Sequence, residues 1–301
     1  MNKLMQYQQL GQSDLQVSTL SLGCMSFHDQ ETGRGLIHTA LDHGINFFDT
    51  ADLYDRGENE KILGQVLKGK RKEVIIATKV GNQWREDGSG WDWNPSKAYI
   101  KSAVKDSLRR LQTDYIDLYQ LHGGTIDDPI EETIEAFEEL KNEGWIRHYG
   151  ISSIRPNVIR EFGEKSNIVS NMMQYSLLDR RPEEFALDFL AEKGISVLVR
   201  GGLAKGLLAN KPARAYLAHT LETVQDTQQA LAALKGSHGL AGHLALAYCW
   251  RHPAVASTVV GASSTTQLIE NIEAIKAHPI NDTTFHQLAA ISPLLNYENH
   301  R

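Results

Sequence analysis

The chain of 301 residues has little cysteine, no long apolar run and no strong excess of one charge. Its two cysteines, Cys24 and Cys249, do not suggest a disulfide framework, so the reducing cytoplasm is the expected location. No apolar run approaches the roughly 20 residues of a membrane span, and the N-terminal MNKLMQYQQLGQSD has no apolar signal core. A net charge of −6 argues against a nucleic-acid surface, which would need a basic face.

Two common motifs are also missing. No H-E-x-x-H sequence or cluster of cysteine and histidine indicates a metal site. No predicted strand is followed by G-x-G-x-x-G, which weakens the alternative of a doubly wound dinucleotide-binding sheet. The composition itself, 41% hydrophobic and 23% charged, is that of a globular protein and suits one large barrel or two compact domains.

Short apolar runs alternate with helix-like stretches along most of the chain. The predicted strands are Thr19–Leu22, Asn46–Asp49, Val74–Thr78, Ile116–Gln120, His148–Ser152, Ser170–Gln174, Ser196–Val199 and Ser257–Val260. Helical patterns cover, among others, Lys97–Leu111, Ile130–Asn142 and Leu240–Trp250. Gly44, Gly144 and Gly194 each precede a strand, where a helix C-cap glycine is expected. Eight strands alternating with helices predict an α/β fold, a single (β/α)₈ TIM barrel over residues 1–301.

Three further segments lie outside this alternation. The chain around Gly11-Gln12-Ser13-Asp14 predicts an N-terminal β-hairpin that forms a small lid over the barrel bottom. The loops after the third and seventh strands, 81–96 and roughly 209–239, are extended, and the second predicts an extra helix over Leu221–Lys235. Long loops in compact barrels are usually functional.

Polar side chains stand at the carboxyl ends of the predicted strands, where a (β/α)₈ barrel has its active site. The second, third and fourth strands lead to Asp49 and Tyr54, to Lys79 and to His122. The later strands lead to Ser152 and Ser153, to Gln174, to Arg200, and to Gly261 through Ser264. Each residue alone has an ordinary explanation: a helix N-cap, a packed tyrosine, a solvated lysine or a structural histidine. Their occurrence together at consecutive strand ends indicates a catalytic site.

The combination predicts acid catalysis by a phenol. A free phenol has a pKa of about 10 and is a weak acid near neutrality, but a neighbouring ammonium favours its ionised form. In the predicted site Asp49 holds Lys79 charged, and Lys79 makes Tyr54 a better proton donor to a developing alkoxide. His122 either orients the carbonyl oxygen or relays the proton.

These residues lie in segments that resemble the aldo-keto reductase family. The matching segments are DTADLY, TKV, QLH, GISS, QYSLLDR and VVGASSTTQLIEN, and the match runs from about Leu10 to about Ile275. The resemblance implies a (β/α)₈ barrel that reduces aldehydes or ketones with NAD(P)H. It also implies that Asp49, Tyr54, Lys79 and His122 form the catalytic tetrad.

The resemblance further implies where NADP(H), the first choice, or NAD(H) would bind. Ser152, Ser153 and Gln174 match positions that bind the nicotinamide carboxamide, although relatives commonly have Asn in place of Ser153. Glu270 and Asn271 match an adenine-side pair. The other implied cofactor contacts are Gly23, Met25, Asp49, Arg200, Gly201, Leu203, Lys205, which matches a loop along the pyrophosphate, Gly261, Ser263 and Gln267.

The chain departs from its relatives at two cofactor positions. Arg200 stands where relatives commonly have an aromatic residue that stacks on the nicotinamide. Its planar guanidinium either stacks in the same way or turns to a phosphate or an acidic substrate. Ser263, Ser264 and Gln267 stand at or beside positions where relatives often have Lys or Arg for the 2′-phosphate of NADP. Backbone N–H groups at the following helix N-terminus can still bind phosphate.

The predicted substrate contacts are Tyr54, His122 and Trp84. Trp84, Trp91 and Trp93 fall in the loop beside Lys79 and either form the wall of an apolar substrate pocket or pin the loop to the barrel. Two other functions stay open. One is a cofactor-binding regulatory subunit, as in relatives that are accessory subunits of potassium channels. The other is a barrel isomerase or lyase with Lys79 as a Schiff base.

Overall fold

The predicted barrel is confirmed in a computed structural model that describes residues 5–27, 29–209, 211–235, 241–276 and 280–301. Eight parallel strands pair in chain order, and the last pairs with the first, which closes the sheet. The barrel strands are β3 Leu20–Gly23, β4 Phe47–Asp49, β5 Ile75–Val80, β8 Ile116–Leu121, β9 Ile146–Ile151, β10 Ser170–Gln174, β11 Ser196–Arg200 and β12 Val255–Val260.

Helices cover the outside of the barrel. They are α1 Gln30–Asp42, α2 Glu58–Val66, α3 Lys97–Leu111, α4 Ile130–Asn142, α5 Pro156–Lys165, α6 Ala186–Glu192, α7 Leu221–Lys235, α8 Ala241–Trp250, α9 Thr265–Lys276 and α10 Asp282–Ile291. The extra helix predicted after the seventh barrel strand is therefore confirmed as α7. Residues 210 and 236–239 of that predicted loop, and the predicted helix start at Leu240, lie outside the described residues. Within the described ranges, no helix is long and apolar enough to cross a membrane.

Consecutive strand residues contribute to two separate cores, because side chains alternate across a strand. Phe48 packs into the layer between barrel and helices, whereas Phe47 points into the barrel interior. Both rings are fully buried, and burial of a phenylalanine contributes about 1.5–3 kcal/mol. The interior core also contains Leu10 and Leu15, which come from the N-terminal segment and plug the bottom of the barrel.

The predicted lid hairpin is confirmed. Strands β1 (Tyr7–Gln9) and β2 (Gln16–Ser18) pair antiparallel. In the turn between them, Asp14 accepts hydrogen bonds from Arg147 Nη2 at 2.6 Å and from His148 Nε2 at 2.8 Å. Both partners belong to β9, so the hairpin is attached to the barrel wall as well as to its interior.

The long loop after β5 folds into a second hairpin that the sequence analysis did not predict. Its strands, β6 (Asn82–Trp84) and β7 (Trp91–Trp93), pair antiparallel. Trp93 Nε1 donates to both carboxylate oxygens of Asp128 at 3.0 Å. A Cβ atom at Gly81 would lie 2.6 Å from the Trp93 ring, so the ring packs directly on that glycine. Trp93 therefore pins this loop to the barrel.

The ends of three strands differ from the predicted ends by two residues. Strand β5 continues past Thr78, and strands β9 and β12 begin at Ile146 and Val255. Both of those first residues pair with a neighbouring strand, Ile146 with Ile116 and Val255 with Val197. A strand ends where its hydrogen-bonded pairing with the neighbouring strand ends. The sequence of the strand itself therefore does not fix its exact end.

Candidate active site

Three adjacent barrel strands bring the predicted catalytic residues together. Asp49 is the last residue of β4, Lys79 lies near the end of β5, and His122 follows β8 directly. The pairing register sets Lys79 opposite Gln120 of β8. Tyr54 lies in the loop after β4, and its side chain reaches the same end of the barrel.

A buried ion pair forms the base of the site. Lys79 Nζ donates to Asp49 Oδ1 at 2.6 Å, to the carbonyl oxygen of Thr50 at 2.7 Å and to the Tyr54 hydroxyl at 3.3 Å. The three donors of the ammonium are thus all used. Burial lowers the pKa of Lys79, but the negative charge of Asp49 and the contact with Tyr54 outweigh it and leave this pKa raised.

Asp49 has a second partner that the sequence analysis missed. Gln120 Nε2 donates to Asp49 Oδ2 at 3.3 Å. Burial raises the pKa of Asp49, while Lys79 and the Gln120 hydrogen bond oppose that rise. Because the ammonium lies 2.6 Å from the carboxylate, we treat Asp49 and Lys79 as an ion pair.

Tyr54 lies between Lys79 and His122. Lys79 Nζ is 5.0 Å from the centroid of the Tyr54 ring, and the His122 ring packs edge-on against the phenol with centroids 5.8 Å apart. Burial, together with the positive charges of Lys79 and Arg200, lowers the pKa of His122 to about 3. His122 is therefore a neutral imidazole at neutral pH, with one N–H to donate.

The predicted nicotinamide-side residues lie at the carboxyl ends of β9, β10 and β11. Arg200 Nη1 donates to Gln174 Oε1 at 3.1 Å, and Gln174 Nε2 donates to the Tyr216 hydroxyl at 2.9 Å. Ser152 is half-buried, whereas Ser153 is buried and its N–H donates to Asn171 Oδ1 at 3.1 Å. Arg200 is exposed but connected to the carboxamide of Gln174, which gives it a defined position at the barrel mouth.

A cavity of about 370 Å³ lies beside these residues. Its lining includes the predicted Lys205 together with Gln174, Arg214 and Tyr216. Arg214 and Tyr216 were not singled out from the sequence. The sequence indicates them only through their place in the extended loop after the seventh barrel strand. An isolated arginine in such a loop cannot be told from a solvated surface arginine by sequence. Two cations in one cavity suit an anionic ligand.

The predicted adenine-side residues follow β12. The N–H and hydroxyl of Ser263 both donate to Gln267 Oε1, at 2.9 and 3.1 Å. Ser264 Oγ accepts from the Gln267 N–H at 3.2 Å and caps helix α9. Glu270 is exposed, whereas Asn271 is buried and its Nδ2 has no hydrogen-bond partner in the described part of the chain.

The remaining predicted cofactor residues line the same end of the barrel. Gly23 ends β3 and Met25, two residues on, is 67% exposed. A Cβ atom at Gly261 would lie 2.6 Å from Ser26 Oγ, so only glycine fits there without a shift. Gly201 and Leu203 follow β11, and Gly201 has a φ of 71°, in the left-handed region that favours glycine.

Trp84 and Trp91 differ from the pinned Trp93. The guanidinium of Arg56 lies 5.0 Å from the centroid of the Trp84 ring. Trp84 Nε1 is buried and has no partner among the described residues. Trp91, which pairs with Trp84 across the hairpin, is 47% exposed. The two tryptophans are thus free of the pinning contacts that hold Trp93.

Comparison with known proteins agrees with the (β/α)₈ barrel fold. The model of the Aldo/keto reductase family matches residues 19–293. "Uncharacterized oxidoreductase YqkF" of Bacillus subtilis is 50% identical, over 99% of this chain and 100% of that protein. The holo form of aldo-keto reductase AKR11C1 from Bacillus halodurans is 52% identical, covers 99% of both chains and has a TM-score of 0.95. A probable voltage-gated potassium channel subunit beta of Arabidopsis thaliana is 30% identical over 92% of this chain and 93% of that protein.

The fold and the family match together define a barrel oxidoreductase. The chain belongs to the aldo/keto reductase family. Members of this family typically use nicotinamide cofactors and small-molecule substrates.

Proposed function

We propose that the protein reduces aldehydes or ketones to alcohols with NADP(H), and that Tyr54 is the general acid. The observation that carries this proposal is the contact of Lys79 Nζ with both Asp49 and the Tyr54 hydroxyl. The ammonium stabilises negative charge on the phenol oxygen as its proton leaves for the substrate alkoxide. The nicotinamide supplies the hydride when it is bound.

His122 is proposed to orient the substrate. Its neutral imidazole cannot supply a full positive charge near pH 7, because its pKa lies near 3. It can donate one hydrogen bond to the carbonyl oxygen beside Tyr54. Of the two roles considered from the sequence, this supports orientation rather than proton relay. Trp84, whose indole N–H has no hydrogen-bond partner in the described part of the chain, is proposed to form part of the substrate wall.

The residues after the strands fit a dinucleotide. Ser152, Ser153 and Gln174 are proposed for the nicotinamide carboxamide. Arg200 hydrogen-bonds to Gln174 and lies near enough to His122 to lower its pKa. Its position at this end supports stacking on the nicotinamide over binding a remote phosphate.

The other end of the dinucleotide has matching groups. Lys205 and Arg214 line one cavity with Gln174, and we assign them to the pyrophosphate. Asn271 has a buried Nδ2 without a partner in the described ranges, which fits a donor for adenine. Glu270, Gly23, Met25, Gly201, Leu203 and Gly261 complete the proposed contacts.

The preference for NADP(H) over NAD(H) is expected to be modest. Ser263 and Gln267 offer hydroxyl, carboxamide and backbone groups where many relatives offer a cation. A charge-assisted hydrogen bond to phosphate is roughly twice as strong as a neutral one. The chain therefore recognises a 2′-phosphate with less binding energy than those relatives.

Two alternative functions receive less support. A Schiff-base lysine needs a lowered pKa to act as a nucleophile, whereas the pKa of Lys79 is raised and its ammonium is fully hydrogen-bonded. The sequence likeness to a potassium channel subunit extends over 92% of this chain and does not by itself favour a regulatory role. The set of Asp49, Tyr54, Lys79 and His122 supports turnover.

The experiment that tests the function is a nicotinamide fluorescence titration with NADPH and NADH, followed by oxidation of the bound cofactor with 4-nitrobenzaldehyde. We expect saturable binding of both cofactors, tighter for NADPH, and oxidation that depends on the aldehyde. Binding without oxidation by any of a panel of aldehydes and ketones would instead support a regulatory role.

A further inference from the structure

A second buried acid lies behind Tyr54 and takes no part in the proposed chemistry. Asp52 is two residues before Tyr54 and 7% exposed. Its Oδ1 atom is buried and has no hydrogen-bond partner within the described ranges. Its backbone N–H donates to the carbonyl oxygen of Lys79 at 3.3 Å. The residue thus links the loop that carries Tyr54 to the strand that carries Lys79.

A cation that faces Asp52, Arg110, is already bound to another carboxylate. Arg110 of helix α3 donates through Nε to Glu60 Oε2 at 2.6 Å and through Nη2 to Ser107 Oγ at 3.1 Å. The other oxygen of Glu60 accepts from Thr78 Oγ1 at 2.6 Å. Two carboxyl groups, Asp52 and Glu60, therefore face one guanidinium, which donates its hydrogen bonds among the described residues to Glu60 and Ser107.

The loop between these groups has an unfavourable backbone. We call residues 52–57 the Tyr54 turn. Asp55, Arg56 and Gly57 have φ values of 46°, 52° and 84°, in the left-handed region. Such conformations at non-glycine residues persist only when the surroundings hold them. Part of that support is Arg110, since a Cβ atom at Gly57 would lie 2.5 Å from Arg110 Cδ.

The groups that face Asp52 come from every element packed against it. Glu60 comes from α2, Arg110 and Tyr99 from α3, Lys79 from β5 and Tyr119 from β8. Burial first, and then the charge of Glu60, raise the pKa of Asp52 to about 8, although Arg110, a hydrogen bond from the backbone of Leu53 and Lys79 oppose the rise. A buried carboxyl with so few donors is favoured in its neutral form.

We propose that Asp52 is a positioning residue that acts as a neutral acid, and that its ionisation at alkaline pH displaces the Tyr54 turn and slows carbonyl reduction. Ionisation would set two negative charges against one cation beneath a strained turn. The turn relaxes by moving Asp52 toward water, and Tyr54 moves with it. This inference rests on the proposed role of Tyr54 as the acid.

The test compares Asp52→Asn, which keeps the shape of the neutral acid, with Asp55→Asn. The second variant makes the same substitution at an exposed residue of the same turn, and Asn tolerates a left-handed φ. The rate of NADPH oxidation by 4-nitrobenzaldehyde is measured from pH 6 to pH 10. Wild type and Asp55→Asn are expected to lose rate with a midpoint near the pKa of Asp52, about 8. In Asp52→Asn the midpoint moves up by about one pH unit or more, and an unchanged midpoint overturns the proposal.

A second readout does not need activity. The folded-state pKa of Asp52, about 8, lies above its ordinary value of 3.8, so wild type loses stability as pH rises between these values and no further above them. The urea midpoint of Asp52→Asn minus that of wild type should therefore increase from pH 5 to pH 8, and this difference should stay constant above pH 8. A constant difference across this range contradicts the proposal, and Asp52→Leu serves if Asp52→Asn does not fold. If Tyr54→Phe stays active, the proposed function fails, whereas this stability difference is unaffected.

Discussion

Two buried carboxylates at opposite ends of the barrel both bind cations, but their partners differ. Asp117 lies at the start of β8 and binds Arg71 Nη2 at 2.6 Å and Arg147 Nη1 at 3.0 Å. Asp49 lies at the end of β4 and binds Lys79 Nζ at 2.6 Å. The ion-pair distances are similar, so distance alone does not tell a structural site from a catalytic one.

The difference lies in what else the cation contacts. Arg71 also donates to the backbone oxygens of Val74 and Tyr115, groups that do not titrate. Lys79 uses its third donor on the hydroxyl of Tyr54, a group that can lose a proton. The ion pairs of Asp117 at the bottom stabilise the barrel. The pair of Asp49 and Lys79 at the top contacts a group that can lose a proton, so it can act on a substrate.

The largest expected effect comes from breaking the ion pair of Asp49 and Lys79 at the top of the barrel. Lys79→Met removes the ammonium that stabilises the ionised phenol, and we expect turnover to fall by about 10²–10⁴-fold, the usual contribution of general acid catalysis. The pH profile of turnover should be lost or displaced as well. Cofactor titration and thermal unfolding check that the variant is folded. A variant with the rate and pH profile of wild type would refute the electrostatic account of this site.

Breaking the ion pairs of Asp117 at the bottom of the barrel should lower the stability of the fold and leave the rate of turnover nearly unchanged. Asp117→Asn removes the carboxylate that pairs with Arg71 and one of the two that pair with Arg147, and we expect a loss of about 2–3 kcal/mol in the free energy of unfolding. The turnover number should stay within twofold of wild type. Asp92→Asn is the matched control, since it breaks the exposed pair with Arg85 and should change stability little. A large loss of turnover in folded Asp117→Asn would remove the distinction between the two ends.

A smaller effect concerns acid stability at the top of the barrel. The pKa of His122 is lowered to about 3 from an ordinary 6.5. The folded state thus resists protonation, and stability is lost as pH falls from about 6.5 toward 3. His122→Gln removes this titration, so its urea midpoint minus that of wild type should increase as pH falls from about 6.5 toward 3. A pH-independent difference between the two would mean that His122 titrates normally in the folded protein.

The smallest effect concerns cofactor choice. Ser263→Arg should strengthen NADPH binding by about two- to fivefold, as expected for an exposed ion pair, and leave NADH binding nearly unchanged. The gain should shrink with added salt, because an exposed arginine–phosphate pair is screened. Dissociation constants for both cofactors at low and high salt decide this. Equal gains for NADPH and NADH would show that Ser263 does not face the 2′ position.

The barrel and the contacts among Asp49, Tyr54, Lys79 and His122 could be predicted from the sequence, because their signals are local. Each strand is a short apolar run, and each polar residue follows its own strand. Barrel topology then brings those ends together.

The supporting contacts could not be predicted in the same way. Arg110 lies in the run SLRRL, where it has the pattern of a solvated helix residue, yet it binds Glu60 from fifty positions earlier in the chain. Gln120 looks like an ordinary strand residue until the register sets it beside Asp49. The environment of Asp52 depends on side chains from four elements. Such contacts depend on packing between segments, which one segment's pattern does not contain.

The central claim is that Tyr54 donates the proton. Its most direct test is the single-turnover rate of NADPH oxidation by 4-nitrobenzaldehyde in wild type and Tyr54→Phe, with the enzyme saturated with cofactor. A deuterium isotope effect shows whether chemistry limits the rate. The account predicts a loss of about 10²–10⁴-fold with an unchanged Kd for NADPH. A loss of less than about tenfold, with chemistry still rate-limiting, would contradict it.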